Sequence, residues 1–288
     1  MIGRLVVVGV GLIGGSFAAA LRRAGAVAEV VGLGRSRAAL GRAQELGLID
    51  AAYDDAAQAL RGADLVMLAM PVGATRAALE RIAPHLGPAT IVTDAGSTKS
   101  DVVAAARAAL GAAFPRFVPG HPIAGAEKSG ADAAFAELFQ GRKTVLTPVA
   151  ETSPDAAREV RAAWVACGAD VREMPAEAHD AIFAAVSHLP HLLAYALVHE
   201  VASRPEAGTL FEYAASGFRD FTRIASSHPE MWRDVCVANR AALSRELARY
   251  RAALDAMQRL VDAGDGPALE AVFRDAREAR DRWIAGRQ

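Results

Sequence analysis

The sequence predicts a doubly wound, mostly parallel α/β sheet followed by an all-helical domain. Three observations carry that expectation. Short β-branched runs alternate with helical patterns through the first 173 residues, as in a parallel sheet covered by helices on both faces. Twenty of the 25 glycines precede position 174, where they punctuate short elements, and five lie in the 115 residues after it. Beyond about Pro175 the strand-like runs stop and long apolar-periodic patterns take over. The expected domains are therefore 1–173 and 174–288.

In chain order, Arg4–Val8 is the first strand, and Leu12–Arg23 is the helix that opens directly after a glycine turn. Further strands are expected at Glu29–Leu33, Asp64–Ala69, Thr90–Thr93 and Lys143–Leu146, all short and apolar. Ser36–Leu46 reads as a helix with a serine cap at its start and Gly47 at its end. Thr75–Ile82, Lys99–Leu110 and Pro154–Cys167 are the remaining crossover helices. In the second domain, Ala176–Ser203 is one long helical pattern interrupted only by Pro190. His228–Leu260 is a second, and Pro267–Ile284 a third with Arg and Glu dense on one side.

Composition narrows the function classes. Lys+Arg 32 against Asp+Glu 33 gives a formal net charge of −1, without the basic excess that nucleic-acid binding needs. An apolar content of 52% at nearly zero net charge excludes a disordered chain. Cys167 and Cys236 stand in neither metal nor redox spacing and read as buried thiols of a reducing cytosol. The uncharged run Leu5–Leu21 superficially looks like a leader or an anchor. Its Gly9, Gly11, Gly14 and Gly15 suit a turn instead, and it is shorter than the about 20 residues of a membrane span. A cytoplasmic protein with no membrane or nucleic-acid partner is expected.

Gly9-Val10-Gly11-Leu12-Ile13-Gly14 fits the G-x-G-x-x-G pattern, between a strand that ends at Val8 and a helix that opens at once. Gly9 permits the tight turn, Gly11 lets the backbone approach a pyrophosphate, and Gly14 lets helix pack on strand. The N–H groups of the helix start, at Leu12 and Ile13, supply phosphate donors. An acid about 20 residues further on would hold the ribose diol of NAD. That position is Gly34, followed by Arg35, Ser36 and Arg37. A cation there fits the 2′-phosphate of NADP, so Arg35, with Ser36 beside it, is the expected contact, and NADP is expected over NAD. The alternative is that Ser36 only caps the next helix while the arginines sit in solvent.

The chemistry lies further along. Ser97 and His121 both follow expected strands on the cofactor side of the sheet, where ligands bind in such folds. A histidine beside a nicotinamide can accept a hydroxyl proton while hydride leaves the same carbon. Ser97 has a competing reading as a helix cap, and His121 as a loop-holding residue. His188 and His191 have a spacing that suits a metal, but no third ligand stands out and no metal is expected. Arg219 and Arg223 share one side of an aromatic-rich turn, which favours an anionic ligand over a bare repulsive pair.

Four motifs together resemble the prephenate/arogenate dehydrogenases of tyrosine biosynthesis: GVGLIGGS at 9–16, GHPIAGAEKSG at 120–130, SHLPH at 187–191 and GFRDFTRIA at 217–225. The resemblance covers nearly the whole chain. It implies a Rossmann-like dinucleotide-binding domain and a helical dimerisation domain in a homodimer. It also implies oxidative decarboxylation of prephenate, or of its amino analogue arogenate, with NAD(P)+. Carried over by motif, His121 accepts the proton of the ring C4 hydroxyl, and Ser97 hydrogen-bonds that hydroxyl and helps place the nicotinamide. Arg223 clamps the ring carboxylate, and His191 sits near the substrate side chain. Glu127 gates the site or makes an ion pair there, and Trp232 forms a wall. Gly34 departs from the acid that NAD-using members carry. Neither a chorismate mutase segment nor an ACT-like regulatory domain is expected. A β-hydroxyacid dehydrogenase of similar build would need a lysine in the helical domain. The lysines here are Lys99, Lys128 and Lys143, all before it. A non-catalytic NADP-binding protein would have no use for Ser97, His121 and Arg223 together.

Overall fold

Six parallel strands form one sheet, in the order β3-β2-β1-β4-β5-β6. The structure is a computed structural model that describes residues 1–125 and 129–286. The strands are β1 (Ile2–Val8), β2 (Val27–Leu33), β3 (Ala51–Tyr53), β4 (Leu65–Leu68), β5 (Ile91–Asp94) and β6 (Phe117–Val118). Between them run α1 (Leu12–Arg23), α2 (Arg37–Glu45), α3 (Ala56–Ala59), α4 (Thr75–Ile82) and α5 (Ser100–Leu110). Side chains alternate across a strand, so each face of the sheet receives its own core. Leu5, Val7, Leu65 and Met67 pack with Phe17 of α1 and with Trp164, while Val6, Val66 and Leu68 pack with Leu79, Ile82 and Val102.

A second, three-stranded sheet follows. It joins β7 (Gly120–Pro122), β8 (Lys143–Leu146) and β9 (Asp170–Glu173), with α6 (Pro154–Ala166) between the last two. β8 pairs antiparallel with β7 and parallel with β9, so the strand expected at Lys143–Leu146 lies outside the main parallel sheet. β3, β6, β7 and β9 are two to four residues long, too short for a period-two pattern to show in the sequence.

The helical part comprises α7 (Ala176–Phe183), α8 (Leu189–Ala202), α9 (Ala207–Glu212), α10 (Ser216–Thr222), α11 (Pro229–Ala238), α12 (Arg240–Asp262) and α13 (Gly266–Ala285). A π turn over Ala184–His188 links α7 to α8, so the expected helix runs through Pro190 with a widened turn before it. Proline lacks an N–H and its ring crowds the carbonyl four residues back; widening the turn relieves both problems. The pattern expected to run unbroken from His228 breaks at Asn239, between α11 and α12.

Two compact units result, Met1–Arg240 and Ala241–Gln288. The first holds both sheets and the helices through α11. It extends well past the change in glycine content because α7 and α11 are built onto the carboxyl ends of the strands. Asp180 binds the start of α5, and Trp232 and Val235 pack on Val72 just beyond β4. The second unit is the long helix after Arg240 and α13. By length and composition Ala176–Ala202 would suit a membrane span, yet it carries the buried polar groups His179, Asp180 and His188.

Candidate active site

β1 ends at Val8 beside β4, where the strand order reverses and the carboxyl ends of the strands leave a crevice. Gly9 takes φ 90°, and a Cβ there would stand 2.8 Å from the Ala69 carbonyl oxygen. At Gly14 a Cβ would meet Val7 Cγ1 at 2.7 Å, so α1 can lie on β1 only with glycine at that place. A Cβ on Gly11 would project into open space at the start of α1, which has no side-chain cap and no acid in its first turn. The first N–H groups of this helix, at Leu12, Ile13 and Gly14, therefore face outward with the positive end of the helix dipole. That cradle fits the pyrophosphate of a dinucleotide.

The ribose end is built differently. Gly34 donates its N–H to the Tyr53 carbonyl at 3.2 Å, and Arg35, Ser36 and Arg37 are exposed. Ser36 Oγ accepts from Ala39 N at 3.2 Å and so caps α2. Arg37 donates to Asp54 at 2.9 Å. Among the described residues, no ion pair engages Arg35.

Beyond β5 the polar groups are buried. Asp94 ends that strand; its Oδ2 accepts from Gly96 N at 2.8 Å and its Oδ1 from Gly120 N at 3.0 Å. Lys99, 0% exposed, forms an ion pair with Asp94 and donates to the Gly120 carbonyl at 2.6 Å. A buried ammonium is tolerable only with such partners. Gly120 is thus clamped through both its N–H and its carbonyl, and a Cβ on it would stand 2.9 Å from the Asp94 carbonyl oxygen. His121 follows directly, with its orientation inherited from that clamp.

His121 Nδ1 lies 2.8 Å from His179 Nε2, and His179 Nδ1 lies 2.9 Å from Asp180 Oδ1. Asp180 also accepts from Lys99 N at 2.8 Å and Ser100 N at 2.9 Å, at the start of α5. Phe183 sets its ring 4.9 Å from that of His121 and 4.4 Å from that of His179. Burial, then His179, Lys99 and His188, push His121 well below the ordinary imidazole range. Burial likewise lowers His179, against the opposing pull of Asp180. Burial raises the Asp180 carboxyl, but hydrogen bonds from His179 and from the α5 start outweigh it and bring it down to about 2. At neutral pH the cluster therefore holds two neutral histidines and one carboxylate.

Ser97 is half-buried ahead of this cluster. The cap position of α5 belongs to Lys99, so Ser97 is not the helix cap. Among the described residues no hydrogen bond joins the Ser97 hydroxyl to His121; the two are tied through their surroundings. Asn239 Nδ2 donates to the Asp180 carbonyl at 2.8 Å and lies 3.1 Å from His188 Nδ1, and His188 hydrogen-bonds the Ser97 backbone. Burial keeps His188 neutral, down to about 4.

The π turn delivers the next residues. His191 Nδ1 sits 2.9 Å from the Ser187 carbonyl, and its ring stacks on Trp232 at 3.6 Å and 18°. Burial lowers His191, and the positive charge of Arg223 lowers it further, which puts Arg223 within electrostatic reach of that ring. Arg223 is exposed at the end of α10. Arg219 points elsewhere, 3.5 Å from Asp220. Glu127 lies outside the described residues. Among those residues no group of three or more His, Cys, Asp or Glu could hold a metal ion. His179, Asp180, Lys99, His188 and Asn239 were not singled out as site residues from the sequence. The available signal was an adjacent His-Asp pair inside an apolar helix, since a charge there must be paired.

Comparison with known proteins agrees in both halves. A family model described as prephenate dehydrogenase, nucleotide-binding domain, matches residues 17–173, and one described as prephenate dehydrogenase, dimerization domain, matches 175–275. The cyclohexadienyl dehydrogenase of Zymomonas mobilis is 36% identical over 278 residues, covering 96% of this chain and 94% of its own. The prephenate dehydrogenase of Bacillus subtilis is 35% identical over 280 residues, covering 96% and 75%. Among solved structures, prephenate dehydrogenase from Aquifex aeolicus in complex with hydroxyphenyl propionate and NAD+ superposes with TM-score 0.92 at 36% identity, covering 97% and 98%. Synechocystis arogenate dehydrogenase superposes with TM-score 0.82 at 31% identity, covering 97% and 99%.

Proposed function

The chain belongs to the prephenate dehydrogenase family, and we infer from its site how the reaction is divided among its residues. That reaction is the NAD(P)-dependent oxidative decarboxylation of prephenate to 4-hydroxyphenylpyruvate, or of arogenate to tyrosine, in tyrosine biosynthesis. NAD(P)+ on the glycine turn, cradled by Gly9, Gly11, Leu12, Ile13 and Gly14, supplies the hydride acceptor. His121 takes the proton of the ring C4 hydroxyl on Nε2 as C4 loses hydride. The ring carboxylate leaves as CO2, its bonding electrons complete the aromatic ring, and the proton returns to the phenolate oxygen. Ser97 hydrogen-bonds the C4 hydroxyl and helps hold the nicotinamide beside it.

Arg223 clamps the ring carboxylate with charge-assisted hydrogen bonds. His191, flat against Trp232, faces the substrate side chain, and Trp232 walls the pocket. Glu127 is assigned a gating or ion-pairing role on the family motif alone. The observation that carries this reading is the setting of His121: held through Nδ1 by His179, just past the carboxyl ends of β5 and β6, with its pKa pushed down by burial. A base that must be unprotonated is kept so at neutral pH.

Arg35 points to NADP as the preferred cofactor, with NAD also accepted because the pyrophosphate cradle of the glycine turn serves both. The functional division is taken at 173/174, with cofactor binding before it and substrate binding and dimerisation after it. Exposed Ile182, Val186, Phe221 and Val237 in the helical part supply apolar surface for a homodimer. A cytoplasmic location fits its two free thiols, Cys167 and Cys236.

Steady-state kinetics with prephenate and arogenate, each with NADP+ and NAD+, test the whole reading. Substrate-dependent reduction of both cofactors is expected, with kcat/KM about tenfold higher for NADP+. Better kcat/KM with NAD+ would reduce Arg35 to a surface residue.

A further inference from the structure

The pairing of half-buried His121 with buried His179 is more than a way to satisfy polar groups. The order of donors and acceptors along it can be worked out from its anchored end. Asp180 is ionised and can only accept, and its two oxygens already take the Lys99 and Ser100 amides. His179 Nδ1, 2.9 Å from Asp180 Oδ1, must therefore carry the hydrogen of that contact. A neutral imidazole has one N–H, so His179 Nε2 is left with a lone pair. The 2.8 Å contact from His179 Nε2 to His121 Nδ1 then requires the hydrogen on His121 Nδ1. This leaves the lone pair of His121 on Nε2, the nitrogen that has no partner among the described residues.

We propose that His179 and Asp180 are positioning residues for the reaction, fixing His121 as the Nδ1–H tautomer so that Nε2 is the basic atom. This rests on His121 being the base, as inferred above. Neither residue needs to touch substrate. Once His121 has taken the substrate proton it is an imidazolium, and the His179 lone pair backed by the Asp180 carboxylate faces its Nδ1–H. The same contacts thus select the tautomer beforehand and stabilise the charge afterwards, the logic by which a carboxylate orients a catalytic histidine in acyl-transfer triads. Here a second imidazole stands between carboxylate and base. Asp180 can serve because the amides at the start of α5 hold both its oxygens, Lys99 N on the Oδ1 that also faces His179 and Ser100 N on Oδ2.

Histidine side-chain nitrogen NMR on the uniformly labelled full chain reads this directly. In the wild-type protein at neutral pH, His121 should show a protonated, pyrrole-type Nδ1 and a pyridine-type Nε2, with the signal assigned by its loss in His121→Asn. In His179→Leu the Nδ1–H preference should collapse, and kcat should fall by about ten- to a thousandfold. KM for prephenate and for NADP+ should stay within about twofold, because only the base is altered. His179→Gln supplies an acceptor at the same place and should keep the Nδ1–H tautomer and recover most of kcat. It also serves if the leucine variant does not fold. An Nε2–H tautomer in the wild-type protein, or unchanged tautomer and kcat in His179→Leu, would overturn the proposal. Near-normal turnover of His121→Asn would have a different meaning: it removes His121 as the base and leaves the tautomer measurement standing.

Discussion

At the carboxyl ends of β5 and β6 the polar groups are buried and bound to one another, whereas at the end of β2 Arg35, Ser36 and Arg37 stand in solvent. Both places belong to one proposed site, and both carry charge. The first places Lys99, Asp94, His179, Asp180 and His188 where each has a partner and none can be lost cheaply. The second offers a cation to a phosphate across water and salt. Burial multiplies the strength of each interaction and the cost of leaving one unmade, while exposure divides both. The buried end therefore suits chemistry that needs fixed geometry. The exposed end suits a choice between two cofactors that differ by one phosphate.

Mutational effects should follow that gradient. Lys99→Met strands a buried carboxylate and frees the Gly120 carbonyl, so chemical denaturation should show a loss of about 3–5 kcal/mol. A loss below about 1 kcal/mol would mean that Asp94 is satisfied by the Gly96 and Gly120 amides alone. Acid should act on the same region. His121, His179, His188 and His191 are all held below the ordinary imidazole value, so folding keeps them neutral while the unfolded chain takes up protons near pH 6.5. Their contribution is complete above about pH 6.5 and is lost as pH falls towards about 4, the value of His188. His188 alone accounts for about 2–4 kcal/mol of that loss. Melting temperature against pH checks it, and a flat profile from pH 7 to 4.5 would contradict it.

Arg223 lies between the extremes, exposed but near the stacked His191–Trp232 pair. Arg223→Ala should lower kcat/KM for prephenate by about 30- to 300-fold, mostly through KM. An unchanged KM would remove it from carboxylate binding. The smallest effect belongs to the exposed end. Arg35→Ala should raise KM for NADP+ by about three- to tenfold and leave NAD+ kinetics alone, the difference shrinking in high salt. Gly34→Asp should move preference towards NAD+. The nearest atoms to a Cβ at Gly34 belong to Leu40, at 3.4–3.6 Å, an ordinary contact that the site can accept.

The same contrast explains what could be read in the sequence. The glycine turn was legible because its requirements are local: a positive φ at Gly9 and a close approach at Gly14 act within a few residues. Ser97 and His121 were legible as polar residues just past strands, where function collects in this architecture. His179 and Asp180 were not, because their meaning depends on contacts 58 and 80 or more residues away in sequence. Inside Ala176–Ser203 they look like a polar interruption of an apolar helix. The antiparallel pairing of β7 with β8, and the break at Asn239 that frees its side chain for Asp180 and His188, are likewise decided by tertiary partners. Ser36 shows the converse, since its local duty as a helix cap was visible in the sequence and is what its hydroxyl does.

The division of labour between the two ends is tested most directly by His121→Asn, measured for turnover at saturating prephenate and for NADP+ affinity by direct titration. Turnover should fall by about 10²–10⁴-fold while NADP+ affinity stays within about twofold of wild type. Near-normal turnover, or a loss confined to cofactor affinity, would contradict the assignment of the chemistry to the buried end.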